Sequence, residues 1–538
     1  MQGLMMDTPM SIASILQHAE KVHQHAEIVS RKPEGGVFRY TYCDAGKRAR
    51  QAANVLAKLG VKQQDRVATL AWNTHRHFEL YFAVSGSGAV LHTVNPRLFP
   101  EQIIYILNHA EDEVLFLDIQ FVPIIEAIHD KLPSLKHIVL MVDKDSMPDS
   151  KLDLLCYEEL LAEQTSDYQW PEFDENLAAT LCYTSGTTGN PKGVLYSHRS
   201  TVIHALASLT NDALGICNQS TVLPVVPMFH VNAWGVPYGA TAGGAKLVFP
   251  GAGMDGASLF ELIDGESVDL LLGVPTVWLG LLQYCEKENL TLASVKEVVI
   301  GGSAAPLSMI KDFQEKHDAF VIHAWGMTEL SPMGTVNSMN RYMASLSQEE
   351  RYAQQCKQGR PIYGIEIRIV DDAGTELDHD GKVFGRLQVR GPWVASSYYK
   401  HDDQSDWQDG WFDTGDVATI DENGYMNIVD RAKDVIKSGG EWISSIDVEN
   451  IALGQDDVVE CAVVGVPHPK WDERPLLLVV KKEGSSLDKE TMLAYLSDKI
   501  VKWWMPDEVL FVDELPHTPT GKLLKRTLRD QYQTLFTQ

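Results

Sequence analysis

The run Ala178-Ala-Thr-Leu-Cys182 leads into Tyr183-Thr-Ser-Gly-Thr-Thr-Gly-Asn-Pro-Lys192-Gly-Val194, and this stretch decides how the remaining chain is read. The apolar run predicts a strand. Gly186, Gly189 and Gly193 then free the backbone to curl. Thr184, Ser185, Thr187 and Thr188 offer hydroxyl donors, and Lys192 adds a point charge. A loop of that chemistry after a strand can wrap a polyphosphate. It is not the loop of the P-loop NTPases, because Pro191 precedes the lysine and Gly193 follows it.

Outward from this loop the pattern is α/β. Ala49, Ala52, Ala53, Leu56 and Leu59 recur at helical spacing, with Gly60 as a stop. Segments 66–70, 114–118 and 137–142 read as strands around a helix at 101–109, and the rhythm resumes at 246–249, 270–274 and 297–300. Short apolar strands between helices predict mostly parallel sheets with covered faces. From about Gly364 the texture changes. Segments 365–371, 385–389 and 424–429, separated by Asp/Gly turns, predict a small antiparallel or barrel-like section. A break at Asp430–Asp434 precedes a final segment with its own strands (458–466, 476–481) and helices (489–499, 523–532), a candidate small α+β domain.

Composition narrows the function classes. The chain has 538 residues, too many for one core. A net charge of −27 argues against nucleic acid as the main partner, yet it leaves room for a small phosphate ligand held by a few local cations. The 7 cysteines form no C-x-x-C pair and read as reduced thiols of a cytoplasmic protein. No secretory signal is evident, and no apolar stretch reaches the roughly 18 residues of a membrane span.

Further stretches carry chemistry. Trp325-Gly-Met-Thr-Glu329 sets an aromatic residue shortly before a carboxylate, and its Thr-Glu reads alone as a plain helix start. Gly301-Gly-Ser-Ala-Ala-Pro306 follows a predicted strand. Thr414-Gly-Asp416 reads alone as a turn, though its carboxylate suits a diol. Asp430-Arg-Ala-Lys433-Asp434, Ser438-Gly-Gly-Glu441 with Trp442, and Pro519-Thr-Gly-Lys522 lie toward the C-terminus. Pro227-Met-Phe-His230-Val-Asn-Ala-Trp234 precedes Gly235, Gly239, Gly243 and Gly244, whose lack of side chains is expected to leave space for an acyl chain. Three other signals are discounted. Gly251-Ala-Gly253-Met-Asp-Gly256 matches a dinucleotide fingerprint but lies mid-chain after a proline. His18, His23 and His25 lack metal-site partners. Trp503-Trp504 is expected to pack within the small domain.

Taken in order, these stretches resemble the superfamily of acyl-CoA synthetases, luciferases and peptide-synthetase adenylation domains. Within it, the chain resembles bacterial medium- and long-chain fatty acyl-CoA synthetases, and almost as closely methylmercaptopropionate-CoA ligases. The resemblance implies an adenylation domain at 1–430, a hinge at 431–434 and a mobile C-terminal domain at 435–538. It implies ATP, Mg²⁺ and coenzyme A as ligands, and a cytoplasmic homodimer. Residues 184–188 and Lys192 would hold phosphates, with Thr184 and Glu329 at the metal. Trp325 and Gly326, with Gly302, Ser303 and Ala304, would enclose adenine. Thr328 would contact the α-phosphate, and Asp416 and Arg431 the ribose. His230, Val231, Trp234, Gly301 and Ala324 would line the acid site. Lys433 would be the hinge, Ser438, Gly439, Gly440, Glu441 and Trp442 the pantetheine tunnel, and Lys522 the lysine that neutralises charge during adenylation. The alternatives are a ligase for the short thioether acid, an acyl-adenylate enzyme without CoA, and a catalytically silent nucleotide-binding regulator. Light emission has no support.

Overall fold

The computed structural model describes residues 1, 3–184, 190–439, 441–517 and 523–536, and only the backbone of Glu441 and Trp442. Its strands form four sheets among these residues. One sheet joins seven strands, six of them parallel, from Leu154–Cys156 at one edge across His137–Leu140, Val114–Leu117, Arg66–Leu70 and Val90–Thr93 to Ala178–Tyr183. Gly193–Ser197 closes it as an antiparallel edge. A second sheet has nine strands, with a parallel centre that includes Lys246–Phe249, Leu270–Gly273, Glu297–Ile300 and Phe320–Gly326.

Side-chain alternation explains why these runs are apolar throughout. In the first sheet Val114, Phe116 and Val139 join the largest core, while Leu115, Leu117, Ile138 and Leu140 face a separate cluster. In the second, Leu272, Val299 and Ile322 join the same largest core, and Leu271, Val298 and Val321 face another. A strand buried on both faces has no reason to alternate with polar residues. The two sheets thus share one core, which includes the helices Tyr42–Lys58 and His75–Gly86. The first of these begins at a capping box between Thr41 and Asp44, which satisfies the orphan N–H groups at its start.

The small antiparallel section is a five-stranded sheet built on Glu366–Val370, Gly385–Arg390, Trp407–Gln408, Trp411–Ile420 and Met426–Arg431. One correction falls here. Thr414-Gly-Asp416, which alone reads as a turn, lies inside the long strand Trp411–Ile420. The register slips between Arg386 and Gln388, and Gly415 takes φ +70°, so the tripeptide is a bulge. A polar triplet with a central glycine looks like a turn in sequence because a bulge uses the same backbone freedom.

The last sheet holds Ile436–Ser438, Glu441–Ile443, Val458–His468, Asp472–Lys481 and Glu508–Phe511, with helices Ser445–Ala452, Lys489–Ser497 and Lys525–Tyr532. It has its own core of Ile436, Val463, Leu477, Val479 and Met492, among others, against which Trp503 and Trp504 pack as expected. No helix among the described residues is long and apolar enough to cross a membrane.

Candidate functional site

The glycine-rich stretch is the connection of a hairpin. Tyr183 pairs with Gly193, and the Thr184 N–H donates to the Lys192 carbonyl at 2.9 Å. Ser185, Gly186, Thr187, Thr188 and Gly189 lie outside the described residues. Both stems are tied down. The Tyr183 hydroxyl sits 2.7 Å from His109 Nδ1, and the Tyr399 N–H donates to the Gly193 carbonyl at 2.8 Å. Lys192 Nζ stands 3.2 Å from Asp406 and 4.4 Å from the centre of the Tyr398 ring.

Opposite this stem, Trp325-Gly-Met-Thr-Glu329 leaves the strand Phe320–Gly326 through a 3-10 turn at Thr328–Leu330. Gly326 is required by packing, because an added Cβ would stand 2.2 Å from the Pro332 carbonyl oxygen. Glu329 is buried, and its Oε1 accepts from the Tyr398 hydroxyl at 2.7 Å. Burial and that carboxylate push the Tyr398 phenol well above its ordinary range. The Thr328 carbonyl accepts from Tyr196, a residue of the strand that follows the glycine-rich loop.

Asp416 joins the second group. Its Oδ2 accepts from the Trp325 indole N–H at 3.2 Å, and Arg431 Nε lies 3.0 Å from its Oδ1. Arg431 also donates to the Thr414 carbonyl at 3.0 Å. Asp416 raises the Arg431 guanidinium above its usual value, with Glu329 adding to the effect. The bulge at Gly415 aims this carboxylate at residues of two other segments. Trp325 is itself mostly core: an added Cβ at Gly334 would meet its ring at 2.4 Å.

The proposed acid side has an unusual backbone. Val231, Asn232, Ala233 and Trp234 all take positive φ, from 47° to 58°, and Gly235 follows at 74°. A left-handed turn costs L residues roughly 1–2 kcal/mol each, so its surroundings must hold it. Buried Asn232 supplies much of that hold. It donates to Thr180 Oγ1 at 3.1 Å and accepts from Cys182 Sγ at 3.4 Å, both on the strand before the glycine-rich loop. The turn presents half-buried His230 and lays Trp234 against Gly301, where an added Cβ would be 2.9 Å from the indole. The same Cβ would be 3.2 Å from the Ala324 carbonyl oxygen, so these three residues meet. Gly302, Ser303 and Ala304 form an open loop beside them after the strand Glu297–Ile300.

The expected space at the following glycines is not there. Added Cβ atoms at Gly235, Gly239 and Gly244 would stand 2.7, 2.2 and 2.2 Å from His204, Ser208 and His23, and at Gly243 3.1 Å from the Ile216 carbonyl oxygen. These glycines let the helices His198–Ser208 and Val236–Gly243 and the His23 ring approach closely, so protein fills the volume assigned to an acyl chain. The discounted glycines at 251–256 are likewise packing positions: a Cβ at Gly251 or Gly256 would strike the carbonyl of Arg31 or Gly280.

At the junction, the Ser444 hydroxyl donates to the Val429 carbonyl at 2.7 Å, and Ser445 N–H donates to Asp430 at 3.1 Å. Lys525 lies 2.8 Å from Glu449 and donates to Ser445 Oγ, and Arg529 pairs with Asp434 while donating to the Lys433 carbonyl at 2.9 Å. Burial lowers the Lys433 ammonium and raises the Asp430 carboxyl. Ser438 and Gly439 are described, whereas Gly440, Lys522 and the side chains of Glu441 and Trp442 are not.

Among the described residues no group of three or more His, Cys, Asp or Glu could hold a metal ion. A magnesium ion carried by nucleotide phosphates needs only one or two protein carboxylates, and Glu329 with the Thr184 hydroxyl suits that role. Sequence reasoning missed Tyr196, Tyr398 and Asp406. Their signal was weak, because Tyr398 and Asp406 lie in loops without periodicity and Tyr196 reads as an ordinary strand residue.

Residues 16–399 match the family model described as AMP-binding enzyme, and residues 447–522 match the AMP-binding enzyme C-terminal domain. The chain belongs to this AMP-binding enzyme family. Two full-length relatives are acid–CoA ligases by name. The chain is 52% identical over 538 residues to a 3-methylmercaptopropionyl-CoA ligase of Ruegeria lacuscaerulensis, covering 100% of both chains. It is 50% identical over 533 residues to a medium-chain-fatty-acid–CoA ligase of Ectopseudomonas oleovorans, covering 99% of this chain and 98% of that one. Its fold matches the crystal structure of the anthranilate CoA ligase AuaEII in complex with anthranoyl-AMP, with a TM-score of 0.87, 24% identity and 99% of each chain covered.

Proposed function

We propose that the chain is an ATP-dependent acyl-CoA synthetase that activates a medium- or long-chain fatty acid through acyl-AMP. The observation that carries this reading is the convergence of Trp325, Asp416 and Arg431 beside Glu329, Tyr398 and Lys192. Asp416 offers two oxygens to a ribose diol, with Arg431 and the Trp325 indole fixing its orientation. Gly302, Ser303, Ala304 and Gly326 flank the adenine. Residues 184–188 and Lys192 hold the phosphates, and Thr328 faces the α-phosphate.

The substrate carboxylate, seated near His230, attacks the α-phosphorus, and pyrophosphate leaves. The carboxylate is already a nucleophile, so the protein aligns the reactants and screens charge rather than removing a proton. Glu329 and Thr184 would hold Mg²⁺, which supplies charge neutralisation on the phosphate oxygens. Lys522 approaches in this step. Residues 435–538 then turn about Lys433, within the hinge 431–434, relative to the adenylation domain 1–430. That movement brings the pantetheine loop, Ser438 to Trp442, to the acyl-AMP. The CoA thiol attacks the acyl carbonyl and AMP leaves. We read the assembly as a cytoplasmic homodimer, for which sedimentation should give a single two-chain particle.

A second reading keeps the mechanism and changes the acid to 3-methylmercaptopropionate. It draws on Trp234 packed against Gly301 and on the filled glycines at 235–244, which favour a short pocket. AMP formation with ATP, Mg²⁺ and CoA across acids from propionate and methylmercaptopropionate to palmitate tests both. A maximum on medium or long chains supports the first reading and a maximum on the thioether acid the second. No AMP from any acid contradicts both.

A further inference from the structure

Arg474 belongs to none of the motifs read in the sequence, yet it is among the most heavily partnered side chains of the C-terminal sheet. It sits on the strand Asp472–Lys481 and is 6% exposed. Its Nε donates to Asp507 at 2.7 Å, and its Nη2 donates to the Met505 carbonyl at 3.0 Å and lies 2.7 Å from the same carboxylate. Its Nη1 donates to the Trp503 carbonyl at 3.0 Å and to the Ser438 hydroxyl at 3.1 Å. The guanidinium also stacks 4.9 Å from the centre of the Trp503 ring.

These contacts converge on the backbone of Gly439. Its N–H donates to the Trp471 carbonyl at 2.7 Å, and its φ is +59°. An added Cβ there would lie 3.1 Å from the Trp503 ring and 3.2 Å from the Trp471 ring. The two indoles meet edge to face with centroids 5.0 Å apart. Gly439 therefore rests on two indoles, one of which is stacked on Arg474, and the residue before it is held by Arg474 directly. A guanidinium is the side chain suited to this task, because its planar fork reaches several fixed acceptors at once. Burying a guanidinium is costly unless acceptors offset its desolvation, and Asp507, Met505, Trp503 and Ser438 supply them here in fixed positions.

We propose that Arg474 is a positioning residue for the thioester-forming step: through Ser438 and Trp503 it fixes the Ser438-Gly439 backbone at which the pantetheine arm passes. The inference rests on the CoA-ligase reading above. It assigns Arg474 no contact with ATP or with the acid, so the two half-reactions separate its effect from a general structural one.

The test uses the full chain and two assays: pyrophosphate release in a single turnover without CoA, and acyl-CoA formation at varied CoA. Arg474→Gln is expected to release pyrophosphate within about twofold of wild type. Its KM for CoA should rise by about tenfold or more, the factor that loss of one charge-assisted hydrogen bond brings. Arg474→Lys keeps the charge and loses the fork, so it should stay closer to Arg474→Gln than to wild type. Trp503→Leu keeps Arg474 and removes one indole support, and should raise the same KM while sparing pyrophosphate release, even if Arg474→Gln fails to fold. An unchanged KM for CoA in the folded variants, or an equal loss in both half-reactions, overturns the proposal. A wild type that releases pyrophosphate but forms no acyl-CoA overturns the CoA-ligase reading first, and this one with it.

Discussion

The nucleotide side and the junction to the C-terminal sheet use charge in different ways. On the nucleotide side, Asp416, Arg431, Trp325, Glu329 and Tyr398 come from separate segments, and sheet hydrogen bonds fix most of those segments. As the proposed nucleotide site, this cluster is preorganised, with Asp416 already aimed by Trp325 and Arg431. At the junction, two polar ties span 15 residues across Lys433, and two more reach 95 and 96 residues on to Arg529. Val429 and Asp430 hold Ser444 and Ser445, and Arg529 holds Lys433 and Asp434. A rotation about Lys433 would exchange such ties, the neutral ones worth about 1 kcal/mol each and those to charged groups about 1.5–3 kcal/mol. Under the proposed mechanism, the first region holds still and the second changes partners.

Lys522→Ala probes that contrast most strongly. Removing a charge contact made only in the transition state should slow adenylation by roughly a hundredfold or more, and thioester formation from supplied acyl-AMP should survive. Equal loss of both half-reactions would erase the distinction. Lys433→Pro should act in reverse and at lower amplitude. A jammed hinge should reduce thioester formation by about tenfold while pyrophosphate release persists. Asp416→Asn tests the preorganised side. It weakens the pair with Arg431 and one acceptor for the ribose, and should raise KM for ATP by about tenfold with the KM for CoA unchanged.

The smallest effect concerns pH. Burial raises the Asp447 carboxyl to about 6, Ser444 opposes the shift, and Asp430 adds to it. A carboxyl raised in the folded state contributes stability fully below its unfolded pKa and loses it as pH rises through about 6. The thermal midpoint should therefore fall between about pH 4 and 6 and level off above that, and Asp447→Asn should flatten that slope. An unchanged slope would remove Asp447 from the account.

Much of the fold could be read in advance where burial leaves a plain pattern. The strands Arg66–Leu70, Lys246–Phe249 and Glu297–Ile300 have the bounds read from sequence, because continuous apolar runs between turns are what two-faced burial produces. The strand Trp411–Ile420 escaped, since its bulge shares the residues of a turn. The glycines at 235–244 misled for a related reason: absence of a side chain marks close approach of something, and sequence does not say whether that is ligand or helix. In the proposed site, residues within one motif could be named from sequence and their partners from other segments could not. Tyr398 reaches Glu329 across 69 residues and Asp406 reaches Lys192 across 214, contacts that only the assembled sheets create.

In the proposed mechanism the chain makes a bound acyl-adenylate before CoA takes part. The direct measurement is pyrophosphate release by wild type mixed with ATP, Mg²⁺ and its preferred acid, first without CoA and then with CoA added. A burst near one equivalent per active site is expected without CoA, followed by conversion of the bound acyl group to acyl-CoA when CoA is supplied. No pyrophosphate until CoA is present would contradict it.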